Sequence, residues 1–327
     1  MIVYDGIIGS LQPNGGISVL FEELKSRLSP SEFKYYSYNN EKSSLHLKSR
    51  IMERYRDFGE NLELTDLFHS TYYRLPDSAC NIVTTVHDFT YERYIGGLAK
   101  VAHSFQKNRA IKKSDQIICV SENTALDLLK YCPIDESRIN VVYNGVSNDY
   151  YPLKSSYSGY VVFVGSRAKY KNFECVVESV ALISDLKLVI VGGGTLTSDE
   201  LGYLNTKLNG RYEHKGFIAN TALNAVYNDA LALVYPSSYE GFGIPVIEAM
   251  KAGCPVIALN SSSIPEVAGK SAILLETPSV DEVREAIVAL DSGIIRNNMV
   301  SQGLENAKRF SWDKCFEETQ KVYSKLI

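Results

Sequence analysis

Short apolar runs alternate with longer amphipathic stretches along this chain, and midway the alternation lapses and starts afresh. A strand, a crossover helix and a returning strand, repeated, build a mostly parallel sheet with helices on both faces. In the first half, strands are expected over 2–8, 33–38, 66–69, 82–86, 116–120 and 140–142, with helices over 16–28, 98–113 and 123–132. Around 144–158 the pattern gives way to Asn-Gly-Val-Ser-Asn-Asp-Tyr-Tyr-Pro and a Ser/Tyr-rich stretch, which reads as a linker. Strands resume over 160–164, 187–191, 212–214, 231–235 and 255–258, interleaved with helices over 173–183, 199–208, 221–230 and 244–252. Helical stretches over 280–290, 295–308 and 312–327 end the chain. The expected fold class is therefore α/β, with two doubly wound domains in series, 1–150 and 151–311. A length of 327 residues agrees, since it exceeds what one hydrophobic core usually supports.

Composition removes several function classes. The formal net charge is −4, whereas nucleic-acid binders draw most of their affinity from a basic excess, so no nucleic-acid partner is expected. Cys80, Cys119, Cys132, Cys175, Cys254 and Cys315 lie far apart with no Cys-x-x-Cys pair, as in a reduced cytoplasmic protein. The start, Met1-Ile2-Val3-Tyr4-Asp5, lacks the basic segment of a secretion signal. No run of about 18 apolar residues occurs, so any membrane contact is expected to be peripheral.

The segment with most chemistry in it is Pro236-Ser-Ser-Tyr-Glu240-Gly241-Phe242-Gly243-Ile244-Pro245-Val-Ile-Glu248. It follows a buried strand, and open α/β sheets bind ligands at the carboxyl ends of their strands. Gly241 and Gly243 permit a tight turn and close backbone approach, and Pro245 suits the first turn of a helix. A glycine turn opening a helix attracts anions. Glu240 and Glu248 would then accept hydrogen bonds from hydroxyl groups of a sugar or ribose. Val164-Gly-Ser-Arg167-Ala-Lys-Tyr-Lys171-Asn172 follows the first strand of the second domain, where Arg167 and Lys171 would neutralise a diphosphate. His87 ends the apolar run 82–86; Asp88 beside it either contacts a substrate or caps the next helix.

The run from Glu240 to Glu248 resembles the Glu-x7-Glu motif of retaining glycosyltransferases of the GT-B fold, specifically glycosyltransferase family 4. Asn14-Gly15-Gly16-Ile17 is similar to that family's amino-terminal glycine loop, and Thr85-Val86-His87-Asp88 to its Val-His-Asp segment. Val120-Ser121-Glu122, Asn144-Gly145-Val146 and Ser263-Ile264-Pro265-Glu266-Val267 fill further family positions in order. One departure stands out: Ser166 occupies the place where the family often has arginine, and Arg167 comes one residue later.

The resemblance implies two Rossmann-like domains facing across a cleft, with the last helix, 312–327, packing back on the first. It implies that Glu240 contacts donor-sugar hydroxyls, Glu248 holds the ribose, and His87 approaches the donor sugar. Gly15 and Gly16 would sit against the donor phosphate or admit the acceptor. Gly192 and Gly194 would make room for base and ribose, and Phe217 and Ile218 would line the base pocket or form a plain turn. No Asp-x-Asp occurs, so a metal-independent reaction without a cofactor is expected. The chain resembles mannosyltransferase-like members that build O-antigen or capsular polysaccharide, which implies a glycan or lipid-linked acceptor, and the stretch from Val164 to Asn172 favours a GDP-sugar donor, with a UDP-sugar as the alternative. Arg50, Arg54, Arg56, Lys100, Lys107, Arg109, Lys112 and Lys113 would offer positive charge to an anionic lipid on the inner membrane face, or form a solvated surface. A nucleotide-sugar epimerase of the same architecture, or a silent sugar-nucleotide-binding scaffold, are the competing classes.

Overall fold

In the computed structural model, residues 1–13, 15–38, 45–154 and 158–327 are described; Asn14 of the glycine loop and 155–157 of the expected linker lie outside them. The chain divides into two compact units, Met1–Gly145 with Trp312–Ile327, and Val146–Ser311.

The first unit holds β1 (Ile2–Tyr4), α1 (Ile8–Leu11), α2 (Gly16–Ser26), β2 (Phe33–Tyr35), β3 (Leu67–Ser70) and β4 (Asn81–Val86). α3 (Thr90–Tyr94), α4 (Gly97–Lys113), β5 (Gln116–Cys119), α5 (Glu122–Tyr131) and β6 (Ile139–Val141) complete it up to the boundary. Its sheet is parallel, in the order β2-β1-β3-β4-β5-β6. The expected strand over 2–8 stops at Tyr4. Gly6 turns the chain there with φ +55°, and a Cβ on it would lie 2.2 Å from the Tyr36 carbonyl oxygen, so only glycine fits.

The second unit runs β7 (Tyr160–Val164), α6 (Phe173–Ala181), β8 (Lys187–Val191), α7 (Ser198–Leu208), β9 (Tyr212–Gly216), α8 (Asn220–Asp229) and β10 (Ala232–Tyr235). It continues through α9 (Ile244–Ala252), β11 (Val256–Leu259), α10 (Ile264–Ala268), β12 (Ile273–Leu275), α11 (Val280–Ala289) and α12 (Gly293–Ala307). The sheet order is β12-β11-β10-β7-β8-β9, again parallel. The Val/Ile runs of β7, β8, β10 and β11 are buried on both faces, as parallel strands under two helical layers must be. The sequence reading gave no element to 260–279, where α10 and the edge strand β12 lie; both are too short to show a period.

What read as a linker is bonded to the second unit from Val146 onward. The Tyr151 N–H donates to Asn224 Oδ1 at 3.1 Å, Asn228 Nδ2 donates to the Tyr151 carbonyl at 3.0 Å, and Lys251 Nζ reaches Asn148 Oδ1 at 2.8 Å. The last helix, α13 (Trp312–Tyr323), belongs to the first unit. Trp312, Cys315, Val322 and Tyr323 join its core beside Ile2, Tyr4 and Phe21. His69, in β3, is fully buried and ties this helix to the sheet. Its Nδ1 meets the Tyr323 hydroxyl at 2.5 Å and its Nε2 the Thr85 hydroxyl at 2.8 Å. Burial pushes its imidazole down to about 3, so the ring is neutral.

Tyr323→Phe is expected to cost about 1–2 kcal/mol in urea unfolding, because it orphans the His69 nitrogen and the Tyr4 hydroxyl, 3.1 Å away. Unchanged stability would show that the hydroxyl does not anchor the helix.

Candidate functional site

In the second sheet the chain leaves β7 in one direction, through β8 and β9, and returns beside β7 to run the other way through β10, β11 and β12. The loops following β7 and β10 therefore diverge from adjacent strand ends, the point where open α/β sheets form a ligand crevice. Lys171 lies in the first of these loops and Glu240 in the second. The Lys171 ammonium is ion-paired with Glu240 Oε1 and 3.2 Å from the Tyr235 hydroxyl. Two of the residues singled out from sequence thus meet, 69 positions apart in the chain.

The loops that carry this pair are stitched together. Asn172, in the left-handed region at φ 53°, donates from Nδ2 to the Pro236 carbonyl at 2.7 Å and to Ser238 Oγ at 2.8 Å. The Ser238 N–H returns to the Tyr170 carbonyl at 2.8 Å. A third loop, after β11, clamps the turn from the other side. Ser261 Oγ donates to the Ser238 carbonyl, Ser262 Oγ accepts from the Glu240 N–H at 2.9 Å, and Ser263 Oγ reaches the Glu240 and Phe242 carbonyls at 3.0 Å. Gly243, at φ 99°, opens α9; a Cβ there would come 2.7 Å from Ile264 Cδ1. Pro245 sits in the first turn of that helix. Ile244 is half-buried at its first position, whereas the Phe242 ring is buried edge-on against Phe310, so Phe242 packs in the core and offers only backbone.

Glu248 lies on α9 in a different environment. Its carboxylate accepts from the Tyr227 hydroxyl at 3.1 Å and is also bonded by Tyr150. Part of the residue stays open to solvent, yet enclosure of the carboxyl pushes its pKa up to about 7, against the two phenols that lower it.

Arg167 is bonded within the second unit. Its guanidinium is spent on Glu200 Oε1 at 2.7 Å and on the carbonyls of Gly192 and Thr195 at 3.3 and 3.1 Å. Glu200, which also completes the capping box of α7, is held at about 2 by this partner first of all. Arg167 thereby locks the loop after β8. Gly192, Gly193 and Gly194 all have positive φ, and a Cβ on Gly193 would come 2.5 Å from Arg167 Nη1 and 2.7 Å from the Gly165 carbonyl. Gly193 is thus the most constrained of the three. Phe217, just past β9, holds its ring 71% exposed, with Ile218 half-buried behind it.

In the first unit, His87 and Asp88 end β4. Burial, with Lys107 nearby, pushes the His87 imidazole down to about 4, so it is neutral and able to donate or accept one hydrogen bond. Asp88 Oδ1 accepts from the Thr90 N–H at 2.8 Å at the start of α3, the capping alternative left open by sequence. Its carbonyl takes the fully buried Lys107 ammonium at 2.9 Å, which also pairs with Glu92 at 2.8 Å. Gly15 caps α2, whose first residue is Gly16; a Cβ on Gly15 would strike Gln12 Oε1 at 2.6 Å. Three of the eight residues of the expected basic surface are paired with carboxylates: Arg50 with Glu53, Lys107 with Glu92, and Arg109 with Asp57.

Because Glu248 binds its proton more tightly folded than unfolded, it takes stability away as pH rises from about 4.5 through about 7. Glu248→Gln is therefore expected to raise Tm by about 2–4 °C at pH 8 and to change it little at pH 4. An equal shift at both pH values would mean that this carboxyl is not the titrating group.

A family model described as "Glycosyl transferases group 1" matches residues 153–305, and one described as "Glycosyltransferase Family 4" matches 25–150. The chain is 26% identical over 288 residues to O-antigen chain mannosyltransferase B of Escherichia coli, covering 80% of this chain and 74% of that protein. It is 29% identical over 266 residues to O-antigen chain mannosyltransferase RfbU of Salmonella typhimurium, covering 80% and 71%. Among solved structures, a sucrose-phosphate synthase from Thermosynechococcus elongatus superposes with a TM-score of 0.78 at 17% identity, covering 99% of this chain and 98% of that one. TarM does so with 0.66 at 18% identity, covering 79% of this chain and 54% of its own. With both domains matched, and with the GT-B architecture shared, the chain belongs to glycosyltransferase family 4.

Proposed function

We propose that this glycosyltransferase takes a hexose from a nucleoside diphosphate sugar, with GDP-mannose favoured over UDP-sugars, and passes it with retention to a lipid-linked or polysaccharide acceptor of a surface glycan. The mannosyltransferase names of its relatives support the donor and the acceptor class. The observation that carries the reading is the Lys171–Glu240 pair at the strand switch beside the amino end of α9. A diphosphate arriving there would draw the Lys171 ammonium to itself and free the Glu240 carboxylate for sugar hydroxyls.

In this reading Lys171 and the helix end stabilise charge that grows on the departing diphosphate, so no metal is required. The departing phosphate oxygen helps to take the acceptor's proton on the same face. Glu248 accepts from ribose hydroxyls. Phe217 presents its exposed ring to the base, and Arg167 acts through the glycine loop that it holds. Nucleotide sugars are made in the cytoplasm, which is where the protein would work.

Glu240→Gln is expected to lower kcat by about 10²–10³ with Tm nearly unchanged. Near-normal turnover would remove Glu240 from the site. Transfer should survive EDTA, and loss restored by Mg²⁺ would contradict metal independence. GDP-mannose should raise Tm more than UDP-, ADP- or dTDP-sugars at equal concentration; a larger shift with another base would reassign the donor.

A further inference from the structure

Two phenols serve one carboxyl at Glu248, and one of them serves a second acceptor as well. The stretch that opens the second unit is pinned in place: the Tyr151 N–H donates to Asn224 Oδ1 and the Asp149 N–H to Ser147 Oγ, each at 3.1 Å. Tyr150, 2% exposed between them, is thereby set against Glu248, its ring 6.0 Å from that of Tyr227. Burial first of all raises the Tyr150 pKa far above the usual phenol range, so the hydroxyl keeps its hydrogen.

The second acceptor is Asn220 Oδ1, at the start of α8, which takes the Tyr150 hydroxyl at 3.2 Å. The other end of that amide fixes its orientation. Asn220 Nδ2 donates to Asp149 Oδ2 at 3.1 Å, and only the NH2 group can serve a carboxylate, so the amide oxygen faces Tyr150. A phenol has one hydrogen to give. Asn220 and the Glu248 carboxylate therefore compete for it, whereas Tyr227 donates to Glu248 Oε2 at 3.1 Å. Enclosure disfavours charge on Glu248, so a carboxylate turned to ribose hydroxyls draws on both phenols.

We propose that Tyr150 is a positioning residue for the donor's ribose, sharing its hydrogen between Asn220 and Glu248 and committing it to the carboxylate when ribose hydroxyls bind. The inference rests on the reading of Glu248 as the ribose acceptor and names what holds that acceptor in place. Where Glu248 starts protonated, its proton passes to solvent, to which part of the residue is open. With two phenols on it the carboxyl does not turn freely, and its remaining lone pairs stay aimed at the ribose. Tyr150 itself touches neither sugar nor diphosphate in this arrangement. Its loss therefore weakens binding and leaves the chemical step alone.

The test is calorimetric titration of the protein with GDP, UDP and their dideoxy analogues, which lack both ribose hydroxyls, beside donor kinetics. Wild type should prefer the ribose forms by about ten-fold or more. Tyr150→Phe should lose most of that preference while binding the dideoxy analogues as wild type does. Its donor KM should rise about as much, with kcat nearly unchanged. Asn220→Ala, at an exposed position, removes the competing acceptor and should keep the preference or raise it. A Tyr150→Phe variant that keeps the full preference, or that loses ribose and dideoxy forms equally, overturns the inference. Loss of preference in Asn220→Ala overturns the sharing of the hydrogen. Equal affinity of wild type for both forms would instead take Glu248 off the ribose, and the inference with it, so the two failures are told apart.

Discussion

The pairing of Lys171 with Glu240 is the interaction around which the second domain's ligand edge is arranged. Neither residue would meet the other in a sheet whose strands ran in simple order. They meet because β10 returns to the flank of β7, so loops 69 residues apart start side by side. An ammonium and a carboxylate held this close restrain each other's side chains, and the phenol of Tyr235 closes the group from the side. The backbone beneath is fixed as well: Asn172 fastens the first loop to the second, and Ser261, Ser262 and Ser263 fasten the second to the third. Such a site is organised before a ligand arrives, which lowers the ordering cost of binding.

Two carboxylates with seven residues between them are given opposite surroundings by this arrangement. Glu240 faces a cation, whereas Glu248 faces the hydroxyls of Tyr227 and Tyr150 inside an enclosure that favours its protonated form. The first is suited to an exchange of charge with an anion. The second is suited to hydrogen bonding with neutral hydroxyl groups. That division follows from which face of the turn and of α9 each occupies, and the glycine at 243 sets both angles by admitting a backbone that a larger residue would block.

Much of this was legible in the sequence, for physical reasons that can be named. Buried parallel strands read clearly because β7 and β8 are continuous apolar runs, and α9 announces itself by Gly243 before it and Gly253 after it. The glutamate spacing and Lys171 were visible because they lie in loops that directly follow buried strands. The Arg167–Glu200 pair was not legible, because a charge near a glycine loop does not reveal its own partner 33 residues away. Tyr227 and Tyr235 were missed because a tyrosine among apolar residues looks like core until its hydroxyl finds a polar partner, and Tyr150 because it lies in the stretch that read as a linker. The serines after β11 were quoted only as part of a motif, although their place at the same strand edge was a usable signal.

The account stands or falls on where a donor's diphosphate rests. A crystal structure with bound GDP-mannose measures it directly. The account predicts the diphosphate against Lys171 and the amino end of α9, with the Glu240 carboxylate turned onto sugar hydroxyls. A diphosphate bound elsewhere, with Lys171 still on Glu240, would contradict it.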